Sequence, residues 1–317
     1  MRYHELGRTG LQTSIVGLGT GGKSVLGQRR GHSEQESHRV VFKALDLGIN
    51  LFDTSPVYID SEAILGRALQ AGGVTHRVII STKVVPYILV DGTAEVISAD
   101  DVVASVEMSL RRLHRDTLDI VHLHAVLPEV YEDVMKRLYP TLVRLREQGK
   151  IQFIGISEQA RADADQTVAS RAARSELFDV IMLRYNLFHQ GADRRVFPVT
   201  TDKGTGVMSM CPVDPPITRP DELRTWLEGL KGIGKLTDEA LSPTDPVQCW
   251  IEHGTSALAS AGMRFAASQP AIDVVITGTA NVDHLEHNVQ TALNCSLSPN
   301  DVAAVRRIYS SLDEGRL

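Results

Sequence analysis

Short apolar segments alternate along this chain with segments that have the periodicity of helices. Eight of the apolar segments have the length and composition of β-strands, and they cover residues 15–19, 49–52, 78–82, 118–123, 151–156, 178–183, 206–210 and 272–276. Between them, apolar residues recur at helical spacing, as in the stripe of Val40, Val41, Ala44 and Leu45. Regular alternation of strands and helices predicts a parallel sheet with helices packed against it.

Eight strand–helix units predict an α/β fold in which the sheet closes into a (β/α)8 TIM barrel. Residues 3–14 precede the first strand and predict a β-hairpin, with its turn between Gly7 and Gly10. A C-terminal extra helix, Pro299 to Leu312, is expected outside the barrel. No break in composition marks a second domain, so we predict a single barrel domain over residues 1–317. The segment 212–245 is rich in proline, glycine and charge, and it is interpreted as a loop inserted after the seventh strand.

Helix ends are predicted from capping residues. Asp60 or Ser61 is expected to begin the helix that reaches about Gln70. Asp100 or Asp101 is expected to cap the next helix, which continues through Leu113.

Four polar residues lie at, or just beyond, the ends of the second, third and fourth predicted strands: Asp53, Tyr58, Lys83 and His124. The C-terminal ends of the strands are where a barrel of this kind carries its chemistry. An ammonium group favours the phenolate form of a tyrosine, whose ordinary pKa is ~10. A carboxylate can keep that ammonium charged, and an imidazole can donate a hydrogen bond to an oxygen that gains negative charge. Together the four residues predict a proton-transfer site, although each taken singly is also a common structural residue.

The fourth strand contains two histidines. His122 and His124 are two residues apart, so they lie on the same face of the strand. His124 is nearer the C-terminal end and is predicted to act at the site, whereas His122 is expected to be a hydrogen-bonded residue of the barrel interior.

A glycine-rich stretch, residues 17–22, fits the G-x-G-x-x-G pattern of dinucleotide-binding Rossmann folds. That pattern requires a helix directly after the glycines, but residues 23–32 are polar and the next helical stripe begins near Ser33. The stretch is therefore interpreted as the first loop at the rim of the barrel.

The order of several motifs resembles the aldo-keto reductase family. The matching stretches are residues 51–58, 61–69, 81–83, 118–124, 149–157, 278–281 and 284–288. The resemblance implies an NAD(P)(H)-dependent oxidoreductase that interconverts an aldehyde or ketone, such as a sugar or another polar carbonyl, and its alcohol. It also implies the roles of the four residues: Tyr58 is the general acid/base, Lys83 and Asp53 tune it, and His124 orients the substrate.

The same resemblance assigns residues to a nicotinamide cofactor: Gly19, Thr20, Ser157, Gly278, Thr279, His284 and Asn288. The chain departs from the family pattern at five places. Glu158 and Met182 stand where the family usually holds the nicotinamide carboxamide with Asn and Gln, and no aromatic residue follows the seventh strand. Gly278 and His284 stand where many members place Lys and Arg against a 2′-phosphate. NADP(H) is expected from the family, and NAD(H) remains open.

These departures leave two alternatives. The first is a non-redox lyase or isomerase that uses Tyr58 and Lys83 for proton transfer on the same barrel. The second is a regulatory barrel that holds a nucleotide without turnover.

The charge and composition of the chain argue against several classes of binding partner. The net charge is −6 and no long basic run occurs, so no nucleic-acid partner is expected. No apolar run has membrane-spanning length, and the three spaced cysteines, Cys211, Cys249 and Cys295, form neither a disulfide framework nor a zinc motif. The first residues contain no apolar signal segment. The sequence therefore predicts a cytoplasmic protein without a metal site that acts on a small molecule.

Overall fold

Eight parallel strands close into a barrel in the computed structural model, which describes residues 1–214, 216–294 and 297–312. The barrel strands follow one another around the barrel in chain order, and the last pairs with the first. They are β3 (Val16–Gly19), β4 (Leu51–Asp53), β5 (Ile79–Val84), β8 (Leu118–Val126), β9 (Ile151–Glu158), β10 (Val180–Arg184), β11 (Gly206–Met210) and β12 (Val274–Thr277). Two antiparallel hairpins lie outside the barrel: β1 (Tyr3–Glu5) with β2 (Gln12–Ser14), and β6 (Tyr87–Val90) with β7 (Thr93–Val96).

Helices follow the barrel strands and cover their outer face. They are α1 (Glu34–Asp46), α2 (Ser61–Ala71), α3 (Ala99–Leu113), α4 (Tyr131–Arg137), α5 (Tyr139–Glu147), α6 (Thr167–Ser175), α7 (Ala192–Arg195), α8 (Phe197–Lys203), α9 (Pro220–Gly232), α10 (Pro246–Glu252), α11 (Thr255–Ala267), α12 (Val282–Leu293) and α13 (Pro299–Tyr309). No helix in the described part of the chain is both long and apolar enough to cross a membrane.

The (β/α)8 prediction and the N-terminal hairpin are confirmed, and the final helix ends three residues before the predicted Leu312. The predicted cap of α3 is wrong. Ser98 caps that helix, because its hydroxyl accepts from the Asp101 amide while the Asp101 carboxylate accepts from the Ser98 amide.

Two further expectations are corrected. The segment 212–245 contains α9 and a 3₁₀ turn, Asp238–Leu241, so its described part is not only a loop. The hairpin β6–β7 follows the third barrel strand and was not predicted. Cys295, expected to be a reduced thiol, lies outside the described residues, whereas Cys211 and Cys249 are free cysteines.

The N-terminal hairpin closes one end of the barrel. Leu6 is fully buried in the interior cluster, together with residues from five of the barrel strands. Gly7 has a φ of +49°, and a Cβ there would stand 2.2 Å from the Gly206 nitrogen. The Arg8 amide donates to the Gly204 carbonyl over 2.6 Å. Because this end is closed by backbone contacts, a ligand has to enter the barrel from the opposite, C-terminal end.

A repeated side-chain clamp joins the barrel strands in pairs near that closed end. An Asn or Asp lies at the start of every second barrel strand. Its side chain accepts a hydrogen bond from a backbone N–H of the preceding barrel strand or, for Asn50, of Ser14 just before β3. The four bonds are Ser14 N to Asn50 (2.7 Å), Ile80 N to Asp119 (2.8 Å), Ile154 N to Asp179 (3.0 Å) and Val207 N to Asp273 (2.8 Å). The sequence carries the same short pattern each time, an apolar residue, Asn or Asp, and two apolar residues, at 49–52, 118–121, 178–181 and 272–275. Each clamp satisfies a backbone donor that burial would otherwise leave unpaired.

Replacing Asp119 with Ala should destabilise the barrel. The change leaves the Ile80 amide without its acceptor and removes one acceptor from the Arg115 guanidinium, which donates to Asp119 over 2.9 Å. We expect a loss of ~2–4 kcal/mol in the free energy of unfolding, measured by urea titration, and faster hydrogen exchange of the Ile80 amide. Asp116→Ala is the control, because Asp116 is exposed in the same turn and should change stability by less than ~0.5 kcal/mol. Equal stability of the two variants would contradict the clamp.

Candidate active site

A buried ion pair lies at the open end of the barrel. Lys83 Nζ donates to both carboxylate oxygens of Asp53, over 2.6 and 2.7 Å, and to the Thr54 carbonyl over 2.7 Å. Ser81 Oγ donates to the same carboxylate over 2.9 Å. The geometry follows from the strands, since Asp53 pairs with Ser81 in register and Lys83 lies two residues further along the same face of β5. Burial opposes the charge of Lys83, but the Asp53 carboxylate outweighs it, so the pKa of Lys83 is raised.

Tyr58 lies against this pair. Its ring packs on Gly21, where a Cβ would stand 2.5 Å from the ring, and Lys83 Nζ lies 5.2 Å from the ring centroid. Burial raises the pKa of Tyr58, and Lys83 lowers it by a smaller amount. The expected influence of Lys83 is therefore present, but the net result is a phenol that stays protonated at neutral pH.

His124 completes the cluster. Its Nε2 lies 3.5 Å from the Tyr58 hydroxyl, and its Nδ1 lies 3.3 Å from Ser55 Oγ. Burial, with a further contribution from Lys83, holds the pKa of His124 well below its usual range, so the ring is neutral. Ser55 was missed by the sequence reasoning, although it lies within a matched stretch, two residues after Asp53. With Ser55 as donor to Nδ1, the ring proton is carried by Nε2, the nitrogen that faces the Tyr58 hydroxyl.

The backbone next to Tyr58 and to His124 adopts an unusual conformation. Ile59 has a φ of +52° and Ala125 a φ of +50°, values that disfavour any residue with a Cβ, above all a β-branched one. The register between β8 and β9 shifts between Leu123 and Val126, and the Ala125 amide donates to Ser157 Oγ over 2.8 Å. This bulge turns the chain at His124, and Ser157 fixes the turn.

His122 lies in the barrel interior, in register with Lys83. It is fully buried, as expected for a residue of the barrel interior, and the polar group that interacts with its ring is the backbone of Ile156. The ring occupies space that Gly155 leaves open, since a Cβ on Gly155 would stand 2.3 Å from His122 Nδ1. Burial and the nearby Lys83 lower the pKa of His122 to about 3, so this ring too is neutral.

The residues assigned to a cofactor form two groups on the barrel. One group is at the start of α12, where Gly278 approaches Gly19 because β12 pairs with β3; a Cβ on Gly278 would stand 3.1 Å from the Gly19 carbonyl. His284 is exposed on the first turn of α12, and Asn288 donates to Thr277 Oγ1 over 2.8 Å.

Thr20 follows Gly19, and its amide donates to the Asp53 carbonyl over 2.8 Å. Thr279 follows Gly278, and its Oγ1 accepts from the Asn281 amide over 3.1 Å. Ser157 belongs to the other group, three strands away from β12 around the barrel.

Met182 and Glu158, two residues that depart from the family pattern, have different surroundings. Met182 faces the barrel interior, packed with Met208. Glu158 is buried, and its Oε1 accepts from the Arg184 amide over 2.9 Å and from Gln166 Nε2 over 3.4 Å. Burial raises the pKa of Glu158 to about 8. Glu158 thus joins the end of β10 to the loop before α6.

Arg184, at the end of β10, was also missed by the sequence reasoning. One guanidinium nitrogen donates to Asp214, after β11, over 3.0 Å. This ion pair fastens the start of the 212–245 segment to the rim of the barrel.

Comparison with known proteins places this arrangement in context. The family model described as "Aldo/keto reductase family" matches residues 17–310. L-galactose dehydrogenase of Arabidopsis thaliana is 29% identical over 303 residues, which cover 90% of this chain and 86% of that protein. Aldo-keto reductase YhdN of Bacillus subtilis is 32% identical over 210 residues, which cover 64% of this chain and 59% of that protein.

Among solved structures, the holo form of aldo-keto reductase AKR11C1 of Bacillus halodurans superposes with a TM-score of 0.73. The match covers 97% of this chain and 96% of that one at 23% identity, and it shows the shared fold. The family model spans most of the chain, including the four strand-end residues and the start of α12. The protein therefore belongs to the aldo/keto reductase family of oxidoreductases.

Proposed function

We propose that the protein is an NAD(P)(H)-dependent oxidoreductase that interconverts an aldehyde or ketone and the corresponding alcohol. The observation that carries the proposal is the cluster of Tyr58, Lys83, Asp53 and His124 at the open end of the barrel. It contains a protonated phenol, a fixed cation and a neutral imidazole whose Nε2 lies 3.5 Å from the phenol oxygen. The test is turnover of a generic aldehyde with NADPH or NADH, followed by the loss of absorbance of the reduced nicotinamide.

The residues at the open end are suited to a dinucleotide. Thr20 Oγ1 and Thr54 Oγ1 are buried beside the Asp53–Lys83 pair and have no hydrogen-bond partner among the described residues. Buried hydroxyls are normally paired, so these two are suited to a polar ligand. When bound, the cofactor supplies the hydride that reduces the carbonyl carbon.

The protein supplies the proton. In reduction, Tyr58 donates its phenolic proton to the carbonyl oxygen, and Lys83 stabilises the phenolate that remains. Asp53 and the Thr54 carbonyl keep the Lys83 ammonium in place. His124, held by Ser55, donates a hydrogen bond to the same substrate oxygen through Nε2–H. In oxidation of the alcohol the phenolate takes the proton back.

Because Glu158 and Met182 replace the usual carboxamide ligands, we consider a second candidate function. It is a non-redox lyase or isomerase that uses Tyr58 and Lys83. Met182 offers no amide toward a carboxamide, which is the observation that favours this candidate. Titration of tryptophan fluorescence with NADPH and NADH separates the two. An enzyme of the second kind would bind neither nucleotide, and a regulatory barrel would bind one without turnover.

Tyr58→Phe should abolish carbonyl reduction and leave nucleotide binding nearly intact. The phenol is the proposed proton donor, and loss of a general acid typically lowers kcat by ~10²–10⁴-fold. Stopped-flow turnover and fluorescence titration provide the two measurements. Tyr139→Phe is the matched control, because that phenol donates to the Leu177 carbonyl at the closed end of the barrel. Near wild-type turnover in Tyr58→Phe would remove Tyr58 from the mechanism.

The Lys83→Met variant should fold and be inactive at neutral pH. Any alcohol oxidation that remains should appear only at higher pH. Without the ammonium, the pKa of Tyr58 rises further, so alcohol oxidation, which needs the phenolate, should require higher pH than in the wild type. The variant also leaves Asp53 buried without its cation, which lowers stability by ~3–5 kcal/mol.

Asp53→Asn combined with Lys83→Met is the control for folding. The double variant removes both charges, so stability should largely return while activity does not. Full activity of Lys83→Met across the pH range would contradict the proposed role.

The preference for NADPH over NADH should be modest. Gly278 has no side chain to contact a 2′-phosphate, and His284 is the exposed imidazole on the first turn of α12. Asn281 already accepts from the Asp283 and His284 amides, so two donors of that helix end are in use. A glycine and an imidazole thus stand where the family has two cations, and neither can grip a phosphate with two parallel hydrogen bonds as a guanidinium does.

His284→Arg should increase the NADPH preference, since a guanidinium stays charged and can grip phosphate with two hydrogen bonds. Dissociation constants for both nucleotides between pH 6 and 8 provide the measurement. His287→Arg adds the same charge further along α12 and should have a smaller effect. A strong NADPH preference in the wild type would show that other residues hold the phosphate.

A further inference from the structure

Ala125, the residue after His124, is held by hydrogen bonds on both sides. Its amide donates to Ser157 Oγ, on β9, over 2.8 Å. Its carbonyl accepts from the Tyr87 hydroxyl, at the start of the hairpin β6–β7, over 3.1 Å. The amide and the carbonyl of one residue belong to the two peptide planes that flank its Cα. Because a side chain holds each plane, both backbone dihedrals of Ala125 are fixed.

These two bonds hold a conformation that Ala125 would not keep by itself. Its φ of +50° lies in the left-handed region, where any residue with a Cβ is strained. A strained backbone persists only when its surroundings hold it. Loss of either bond should therefore let Ala125 return to a common conformation, and that rotation would also turn the peptide of His124.

The His124 side chain is held only loosely by its own contacts. Its Nε2 lies 3.5 Å from the Tyr58 hydroxyl and its Nδ1 lies 3.3 Å from Ser55 Oγ. Both distances are long for hydrogen bonds in proteins, and such bonds are weak. The ring packs edge to face on the Tyr58 ring, with the centroids 5.7 Å apart. The position of the imidazole therefore depends on the backbone beside it, which is the Ala125 peptide.

The hairpin β6–β7 brings Tyr87 to this position. Residues 88–90 of β6 are exposed, whereas Tyr87 packs against the core. Burial raises the pKa of Tyr87 and outweighs the Gln159 side chain, which lowers it. The phenol therefore keeps its proton at neutral pH and remains a hydrogen-bond donor to Ala125.

We infer that Tyr87 is a positioning residue for His124, because its hydroxyl and Ser157 together hold the Ala125 peptide that directs the imidazole toward Tyr58. This inference rests on the proposed function, in which His124 donates to the substrate oxygen. Tyr87 acts through the backbone and needs no contact with substrate or cofactor. A hydrogen bond that strengthens as the oxygen gains charge affects kcat more than KM, so the effect of Tyr87 should appear in kcat.

The first test is the Tyr87→Phe variant, which keeps the ring and removes the hydroxyl. The single-turnover rate with a generic aldehyde and NADPH should fall ~10-fold, the effect of one hydrogen bond, while KM and the NADPH dissociation constant change by less than ~2-fold.

Two controls separate this role from general loosening, and each should change the rate by less than ~2-fold. Tyr139→Phe also removes a phenol that donates to a backbone carbonyl, that of Leu177, over 2.7 Å at the closed end. Gly92→Val strains the hairpin turn, where φ is +79°, and leaves the Tyr87 hydroxyl in place. A Tyr87→Phe rate equal to that of the controls would overturn the inference.

Glycine at position 125 provides a second test. Glycine adopts a positive φ without strain, so adding Ala125→Gly to Tyr87→Phe should restore the rate to within ~3-fold of wild type. A double variant as slow as Tyr87→Phe alone would contradict the role of the strained peptide.

Measurements without nucleotide separate this inference from the proposed function. Tyr87→Phe should shift the ¹⁵N resonance of His124 Nε2, which is assigned by its absence from the His124→Gln variant. Hydrogen exchange of the Ala125 amide, which does not itself contact Tyr87, should become ~10-fold faster. The two control variants should change neither signal.

Both changes in a protein that reduces no aldehyde would support the positioning role and refute the reductase. Aldehyde reduction, with the His124 resonance and the Ala125 exchange unchanged in Tyr87→Phe, would support the reductase and refute the role of Tyr87.

Discussion

The buried ion pair between Lys83 and Asp53 is the interaction on which the site depends. A lysine ammonium removed from water is unfavourable unless all its donors are used, and here two carboxylate oxygens and the Thr54 carbonyl use them. The pair places a fixed positive charge 5.2 Å from the Tyr58 ring centroid. The same charge, together with burial, keeps the imidazoles of His122 and His124 neutral. Burial is the main cause of the neutral state of all three rings, and the Lys83 ammonium contributes to the pKa of each.

The site combines two opposing effects on Tyr58. Burial favours the neutral phenol, while Lys83 favours the phenolate. A group that gives and takes a proton in the two directions of one reaction benefits from this balance, because neither form is too stable to react. The strained backbone at Ile59 and Ala125 keeps Tyr58 and His124 in position without a ligand.

Much of the fold was predictable because its signals are local and repeated. The strand Gly206–Met210 was predicted to the residue, and the strand-end position of Asp53, Lys83 and His124 followed from the barrel. The features that were missed depend on what surrounds a residue in space. The hairpin β6–β7 has apolar residues that remain exposed, so its pattern does not differ from that of a buried strand. The position of the His122 ring depends on the absence of a side chain at Gly155, on another strand.

The four clamps have a consequence for motion within the barrel. They fasten Ser14, just before β3, to the start of β4, and they fasten β5 to β8, β9 to β10 and β11 to β12. Four seams between these pairs have no such clamp among the described hydrogen bonds. Local opening of a protein begins where the fewest bonds cross. One such seam lies between β4 and β5, and there Asp53 and Lys83 form a bond across it at the opposite end of the barrel. The Asp53–Lys83 pair therefore also joins β4 to β5 at this seam, so a change that breaks the pair removes a bond across the barrel wall as well as a charge from the site.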